Sequence, residues 1–200
     1  PLSSGGTLSC NWGWSEANPV PADFDGDGKT DICVYWPAQG KWFMSFSGGG
    51  SAARTWGWYA AYPQAGDFDG DSLADMTVYW PERGAWYIYS SSAMTLIQAN
   101  WGWSEATPVP GDYDGDGRAD LAVYYPPNGN WLIHLSGSGS LDSRFWGWSE
   151  AEPVPADFDG DGKTDCAVYH GTTGRWLILN SGLHTMTDEN WGWSEAEPIY

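Results

Sequence analysis

The chain has 200 residues and a formal net charge of −18, with 26 Asp and Glu against only eight Lys and Arg. The basic residues are scattered and form no stripe, which argues against nucleic acid or an anionic membrane as a partner. No apolar run approaches the roughly 18 residues of a membrane span, so membrane insertion is not expected.

In chain order, the first unit opens with Trp12-Gly-Trp14, continued by Ser15-Glu16-Ala17. A short strand is expected at Pro19-Val-Pro-Ala-Asp-Phe24. It is followed by an aspartate-rich loop, Asp23 to Asp31, and by a strand ending at Val34-Tyr-Trp-Pro37. A tight turn, Pro37-Ala-Gln-Gly40, leads to a third strand, Lys41-Trp-Phe-Met-Ser-Phe46, and a fourth strand runs into the next Trp-Gly-Trp. The Trp-Gly-Trp mark recurs at 12, 56, 101, 146 and 191, with spacings of 44, 45, 45 and 45. A period in this range marks repeated small β-units, and four short strands use up 45 residues as one propeller blade does.

No long 3.6-residue apolar period with caps is present, and 27 Gly and 13 Pro punctuate the chain too often for helices. The expected fold is all-β: a β-propeller of four four-stranded blades forming one domain, with repeats over 12–55, 56–100, 101–145 and 146–190 and a partial fifth over 191–200. The 16 Trp, 11 Tyr and six Phe can share one aromatic core across blades that could not bury enough surface singly.

The aspartate loop occurs four times, at Asp23 to Asp31, Asp67 to Asp75, Asp112 to Asp120 and Asp157 to Asp165. Positions 1, 3, 5 and 9 are Asp23, Asp25, Asp27 and Asp31; Asp67, Asp69, Asp71 and Asp75; Asp112, Asp114, Asp116 and Asp120; Asp157, Asp159, Asp161 and Asp165. These carboxylates, with the position-7 carbonyls of Lys29, Leu73, Arg118 and Lys163, form the all-oxygen ligand set that Ca²⁺ favours. Four ions, one per repeat, are expected, and they would bring the charge from −18 to −10. Asp-Gly pairs also form acidic turns without any metal, but turn propensity alone does not repeat one spacing four times. Without a cation, four such carboxylates repel one another, so calcium is expected to be part of the fold. An EF-hand or dockerin would need an acidic side chain at position 12, where this chain has Val34, Val78, Val123 and Val168.

With the motif Asp-x-Asp-Gly-Asp-Gly-x-x-Asp joining two strands of each unit, the chain resembles the FG-GAP, or VCBS, repeat family of integrin-α-like propellers from about residue 12 to 195. The second loop departs from the motif, with Ser72 where the others have Gly28, Gly117 and Gly162. Position 6 calls for a positive φ, so the second site is expected to be the weakest. The family usually builds seven blades, whereas four units are complete here. Trp-Gly-Trp strands are expected at both ends, at Leu8 to Trp14 and Glu189 to Trp193, and Glu197-Pro-Ile-Tyr200 resembles the start of a fifth unit. Three arrangements meet this pattern: a ring closed with a spare strand, a piece of a longer array, or subunits of a homo-oligomer that complete one another.

The three cysteines form no metal-ligand spacing and cannot all pair internally. Cys33 and Cys166 read as buried small hydrophobes, and Cys10 is open to either a bridge or a free thiol. There is no N-terminal Met or signal pattern, which fits a mature or excised chain. Loops of this type suit millimolar calcium, so an extracellular or cell-surface location is expected.

Within each Trp-Gly-Trp, strand alternation predicts that the first ring fills the gap between blades and the second faces the opposite way. Trp14, Trp58, Trp103, Trp148 and Trp193 would then flank Glu16, Glu105, Glu150 or Glu195 and a serine, equipment suited to stacking a sugar ring and bonding its hydroxyls. The resemblance points the same way, since propeller lectins bind glycans between neighbouring blades. Trp42, Trp86, Trp131 and Trp176, with Tyr35, Tyr79, Tyr124 and Tyr169, read as core. His134, His170 and His184 fall in unrelated contexts and no catalytic motif appears, so no enzyme activity and no catalytic residue are expected. The expected function is a secreted, calcium-binding, lectin-like module with several equivalent sites. The alternative is a structural or adhesion module that binds an extracellular protein, or an accessory domain of a secreted enzyme.

Overall fold

Each aspartate loop is followed by a run rich in Val, Ile, Tyr and Trp, residues that suit a pleated, buried strand. A computed structural model describes residues 11–182 and 185–193. Cys10, His184, Glu195, residues 8–10 of the N-terminal strand and the segment Glu197 to Tyr200 lie outside the described residues. The first blade comprises β1 (Asn18–Pro19), β2 (Ile32–Trp36), β3 (Lys41–Ser45) and β4 (Ser51–Thr55), and the second β5 (Tyr62–Gly66), β6 (Asp75–Trp80), β7 (Ala85–Tyr89) and β8 (Leu96–Asn100). The third comprises β9 (Thr107–Pro108), β10 (Leu121–Tyr125), β11 (Asn130–His134) and β12 (Leu141–Phe145), and the fourth β13 (Glu152–Pro153), β14 (Cys166–His170), β15 (Arg175–Leu179) and β16 (Met186–Asn190). Every blade is a four-stranded antiparallel meander, and together they form a four-bladed β-propeller.

Innermost strands are shorter than expected in three blades, for a reason visible in their prolines. Pro19 and Pro21, Pro108 and Pro110, and Pro153 and Pro155 each remove two ladder amides, leaving two-residue strands and isolated bridges at Ala22, Gly111 and Ala156. The second blade has Ala65 in place of the second proline, and its β5 pairs over five residues. The expected Pro37 to Gly40 turn is a single 3-10 turn, Pro37–Gln39, closed by Gly40 at φ 58°. The 44-residue first spacing arises in the β3–β4 turn. There Phe46 bonds Gly50, one residue sooner than Ser90 to Thr95, and Gly49 and Gly50 adopt φ of 103° and 95°.

The core lies between blades. A tyrosine on each second strand faces a tryptophan on the third, Tyr35 to Trp42, Tyr79 to Trp86, Tyr124 to Trp131 and Tyr169 to Trp176, with ring centroids 5.0 to 5.2 Å apart. The first three tryptophans are fully buried. Their indole N–H groups donate 2.7–2.8 Å bonds to the carbonyls of Trp56, Trp101 and Trp146, which begin the next links. The tyrosine hydroxyls donate to the carbonyls of Trp58, Trp103 and Trp148, each at 2.9 Å.

The Trp-Gly-Trp link itself is not a strand, which corrects the expected alternation of its two rings. β4, β8, β12 and β16 stop just before it, and its glycines hold φ between 103° and 144°. That backbone turns both rings onto the following blade: Trp56 lies against Tyr89, and Trp58 against Trp80 and Tyr87. Trp101 and Trp146 anchor further through their N–H groups to the Leu132 and Leu177 carbonyls, whereas the buried Trp56 N–H has no partner.

Trp86 is the strut of the second blade. Replacing it with Ala is expected to lower the unfolding free energy by about 3–5 kcal/mol in urea denaturation. A loss below about 1 kcal/mol, the size of an ordinary point substitution, would remove the indole from the account of the core.

Candidate functional site

Each aspartate loop is wound by its own carboxylates before any ligand is considered. The position-1 side chain accepts two loop amides: Asp23 from Gly26 at 2.7 Å and Gly28 at 2.8 Å, and Asp112 from Gly115 at 2.6 Å and Gly117 at 2.8 Å. Asp67 and Asp157 repeat the pattern. Position 5 accepts the position-7 amide, as Asp27 does from Lys29 at 2.9 Å and Asp116 from Arg118 at 2.9 Å.

Position 9 is the buried member. Asp31, Asp75, Asp120 and Asp165 are at most 1% exposed. One oxygen of each accepts the position-2 amide, of Phe24, Phe68, Tyr113 or Phe158, at 2.8–2.9 Å. The other accepts the amide of Ser47, Ser91, Ser136 or Ser181 at 2.6–2.7 Å. The hydroxyls of the same serines donate to the position-5 carboxylates at 2.8–3.0 Å. These serines were missed in the loop motif because they come from the end of the third strand. Their recurrence at the repeat period was the signal available.

The arrangement brings three carboxylates of each loop together, with oxygens within 4.8 Å of one another: Asp23, Asp25 and Asp27; Asp67, Asp69 and Asp71; Asp112, Asp114 and Asp120; Asp157, Asp159 and Asp165. Among the described residues, the position-7 carbonyls of Lys29, Leu73, Arg118 and Lys163 accept no backbone hydrogen bond in the loops. This all-oxygen donor set fits a hard cation such as Ca²⁺. Burial pushes the Asp75 and Asp120 carboxyls up, against the lowering pull of the Ser91 and Ser136 amides. Asp25 and Asp159 are also raised, first by lost hydration and with neighbouring carboxylates adding to it. Asp27 is instead held down, first by the Ser47 hydroxyl. A cation would favour the ionised form of the raised carboxyls.

The second loop differs in two ways. Ser72 holds φ 70°, beside 79°, 85° and 84° at Gly28, Gly117 and Gly162, so position 6 requires the left-handed region in every copy. Asp69 is also engaged by the hydroxyls of Ser90 and Ser92, which outweigh its burial and hold its carboxyl down.

In the first four links the second tryptophan packs edge-on against an aromatic ring of the following blade. Trp103 meets Tyr125 edge-on at 5.3 Å, and the Tyr125 hydroxyl donates a 3.4 Å bond to Glu105. Trp148 meets His170 at 5.4 Å, Trp58 meets Trp80 at 5.6 Å, and Trp14 meets Trp36 at 5.5 Å. Trp58, Trp103 and Trp148 are half-buried, while Glu16, Glu105 and Glu150 are exposed beside them. Trp193 is more open, at 67% exposed.

His134 meets Trp101 and His170 meets Trp148 edge-on; His170 fills a position that is Trp or Tyr in the other blades, and His134 one held elsewhere by Ser45, Tyr89 and Leu179. Cys33 and Cys166 are buried free thiols, both pushed up to about 12 by burial, which makes them inert packing groups. The innermost strands enclose a cavity of about 670 Å³ lined by prolines and uncharged residues, such as Val20, Gln64 and Thr107. Tyr62 also lines it, and no Asp, Glu, His, Cys, Lys or Arg does among the described residues.

Ser72→Gly is expected to raise stability by up to about 1 kcal/mol in urea denaturation, by relieving the left-handed strain. A destabilised variant would mean that the serine side chain compensates for its own backbone.

The FG-GAP-like repeat family matches residues 112–168, from the third loop through the fourth loop and into β14. No curated protein matches the chain. Among solved structures, an Agrocybe aegerita lectin described as recognising non-reducing terminal N-acetylglucosamine is 18% identical, with a TM-score of 0.52 over 90% of this chain and 50% of its own. Virginiamycin B lyase from Staphylococcus aureus is 12% identical, with a TM-score of 0.51 over 84% of this chain and 55% of its own. A streptogramin B lyase is 11% identical at 0.52, over 86% and 54%. This chain thus spans about half the length of these structures, and at such identities the likeness is one of fold. The chain is a four-bladed β-propeller carrying FG-GAP-like repeat sequence over residues 112–168.

Proposed function

We propose that the chain is a calcium-stabilised propeller binding module, working at the cell surface or outside the cell, that takes glycans in the aromatic cradles between its blades. The observation that carries this reading is that every one of the four loops gathers three carboxylates, always positions 1 and 3 with either 5 or 9. Asp23, Asp25, Asp27 and Asp31, their counterparts in the other three loops and the position-7 carbonyls would hold the ion. Calcium would supply the positive charge that lets the carboxylates stay ionised side by side, tying the rim of each blade. The Ser72 copy would bind most weakly.

Sugar as the ligand class is supported by the cradle at Trp103, Tyr125 and Glu105, which pairs aromatic faces with a carboxylate. Repetition of weak sites on a rigid ring would add avidity. The fold likeness to a lectin is compatible with this. The half-burial of Trp58, Trp103 and Trp148 favours the second reading, a protein-binding or adhesion module whose aromatics serve packing. Catalysis has less support, because the two described histidines pack edge-on against separate link tryptophans, His134 on Trp101 and His170 on Trp148.

Thermal unfolding in millimolar Ca²⁺ and in EDTA tests the metal. A site held at ten times its Kd contributes about 1.4 kcal/mol, and four such sites raise Tm by roughly 10–20 °C. An unchanged Tm in EDTA would remove calcium from the reading. For the ligand, a glycan array in calcium and in EDTA is expected to show calcium-dependent binding that Trp103→Ala weakens. Silence under both conditions from a folded chain would turn the assignment to the protein-binding reading.

A further inference from the structure

Neighbouring blades meet along seams, and two positions recur on the outermost strands β4, β8 and β12 that precede each seam. One pairs the third-strand tryptophan: Arg54 with Trp42, Ala99 with Trp86 and Arg144 with Trp131. Two residues earlier stand Ala52, Ile97 and Asp142.

In the third seam these positions close on each other. Arg144 donates from Nε to the Asp142 carboxylate at 2.9 Å, its Nη2 lies 2.8 Å from the same oxygen, and its Nη1 reaches 3.7 Å to the Cys166 sulfur. The guanidinium also stands 5.8 Å from the centre of the Tyr113 ring. At the second seam Ile97 and Ala99 leave no charge to satisfy.

The first seam has the cation without its acid. Ala52 stands where Asp142 does, and Arg54 is exposed and forms no ion pair among the described residues. Its Nη1 donates only to the adjacent Ala53 carbonyl, at 3.1 Å. Beside it a cavity of about 240 Å³ opens between the blades, walled by Phe24, Met44, Phe46, Met76, Tyr89 and Met94. Phe24 and Met76 are the counterparts of Tyr113 and Cys166, the groups beside the Arg144 guanidinium, so the cavity lies where the third seam places its ion pair. Among the described residues, Arg54 is the one charged group in the lining. Met94 holds φ 51° at the turn position where the third blade has Gly139 at φ 67°, and it is 72% exposed at the edge of the cavity. A bulky residue in the left-handed region carries strain that glycine avoids, and such strain collects at ligand clamps.

We propose that this cavity binds an apolar monocarboxylic acid, its carboxylate on Arg54 in the place of the Asp142 side chain and its tail among the methionines and phenylalanines. A guanidinium fork matches a carboxylate with two parallel bonds. Unbranched, polarizable methionine side chains adapt to a flexible aliphatic tail. The cavity is smaller than the roughly 300–1,000 Å³ of drug-sized ligand sites, which limits the tail to a short or medium chain. The site contains none of the link tryptophans and none of the loop aspartates, so it is independent of the glycan and calcium readings.

Isothermal titration calorimetry of the full chain with octanoate, below its micellar range, is the test. Saturable binding of one octanoate per chain is expected. Octanol, which lacks the charge, and acetate, which lacks the tail, should each bind about tenfold more weakly or less. Arg54→Gln should weaken octanoate about tenfold or more. Ala52→Asp should do the same by giving Arg54 the partner that the third seam uses, and circular dichroism and Tm of both variants should match the parent. No binding of octanoate, equal binding of octanol, or octanoate binding that either folded variant leaves unchanged would overturn the proposal.

Discussion

An indole N–H shut away from water needs an acceptor, and leaving it without one costs about 1–3 kcal/mol. In this molecule the acceptor for each third-strand tryptophan is a main-chain carbonyl of the next Trp-Gly-Trp link. A blade therefore satisfies its core only by engaging the link that leads to its neighbour. Blade packing, link conformation and order around the propeller all descend from that requirement, and the buried tyrosine hydroxyls reinforce it from the second strand.

The aspartate loops obey a different constraint. Sixteen carboxylates of the total 26 acidic residues lie in these loops, and the position-9 member of each is buried against backbone amides. Those amides set the loop's path, and carboxylates of each loop still gather with oxygens within 4.8 Å of one another. Positions 1 and 9 both anchor the backbone and stand in the candidate ligand set. The serine after the third strand adds to this, giving its amide to position 9 and its hydroxyl to position 5.

Much of this was legible in the sequence. The repeat period, the all-β class, the four strands per unit, the turn at Pro37 to Gly40 and the core role of the Tyr35 to Trp42 pair follow from spacing and residue type, and the structure has them. The positive φ at position 6 was legible too, because only that backbone explains glycine in three copies. What escaped was set by backbone geometry that composition does not encode. Strand alternation was applied to Trp-Gly-Trp, but Gly57 at φ 104° breaks the alternation and sends both rings the same way. The second prolines shortened three inner strands where a uniform length was expected. Ser47 and its counterparts were missed because their partners lie 16 and 20 residues away in sequence, and only their recurrence at the repeat period pointed to them.

At each seam the glycine that ends the 3-10 turn lies directly against the glycine of the link, Gly40 on Gly57 and Gly84 on Gly102, with no room for a Cβ between them. Main chain therefore rests on main chain where the turn of one blade meets the link to the next. A pitch fixed by atoms common to all residues is indifferent to the side chains hung around it. Rim and cradle residues can vary from blade to blade, as Tyr125, His170 and Trp80 do, without altering the angle at which the next blade is delivered.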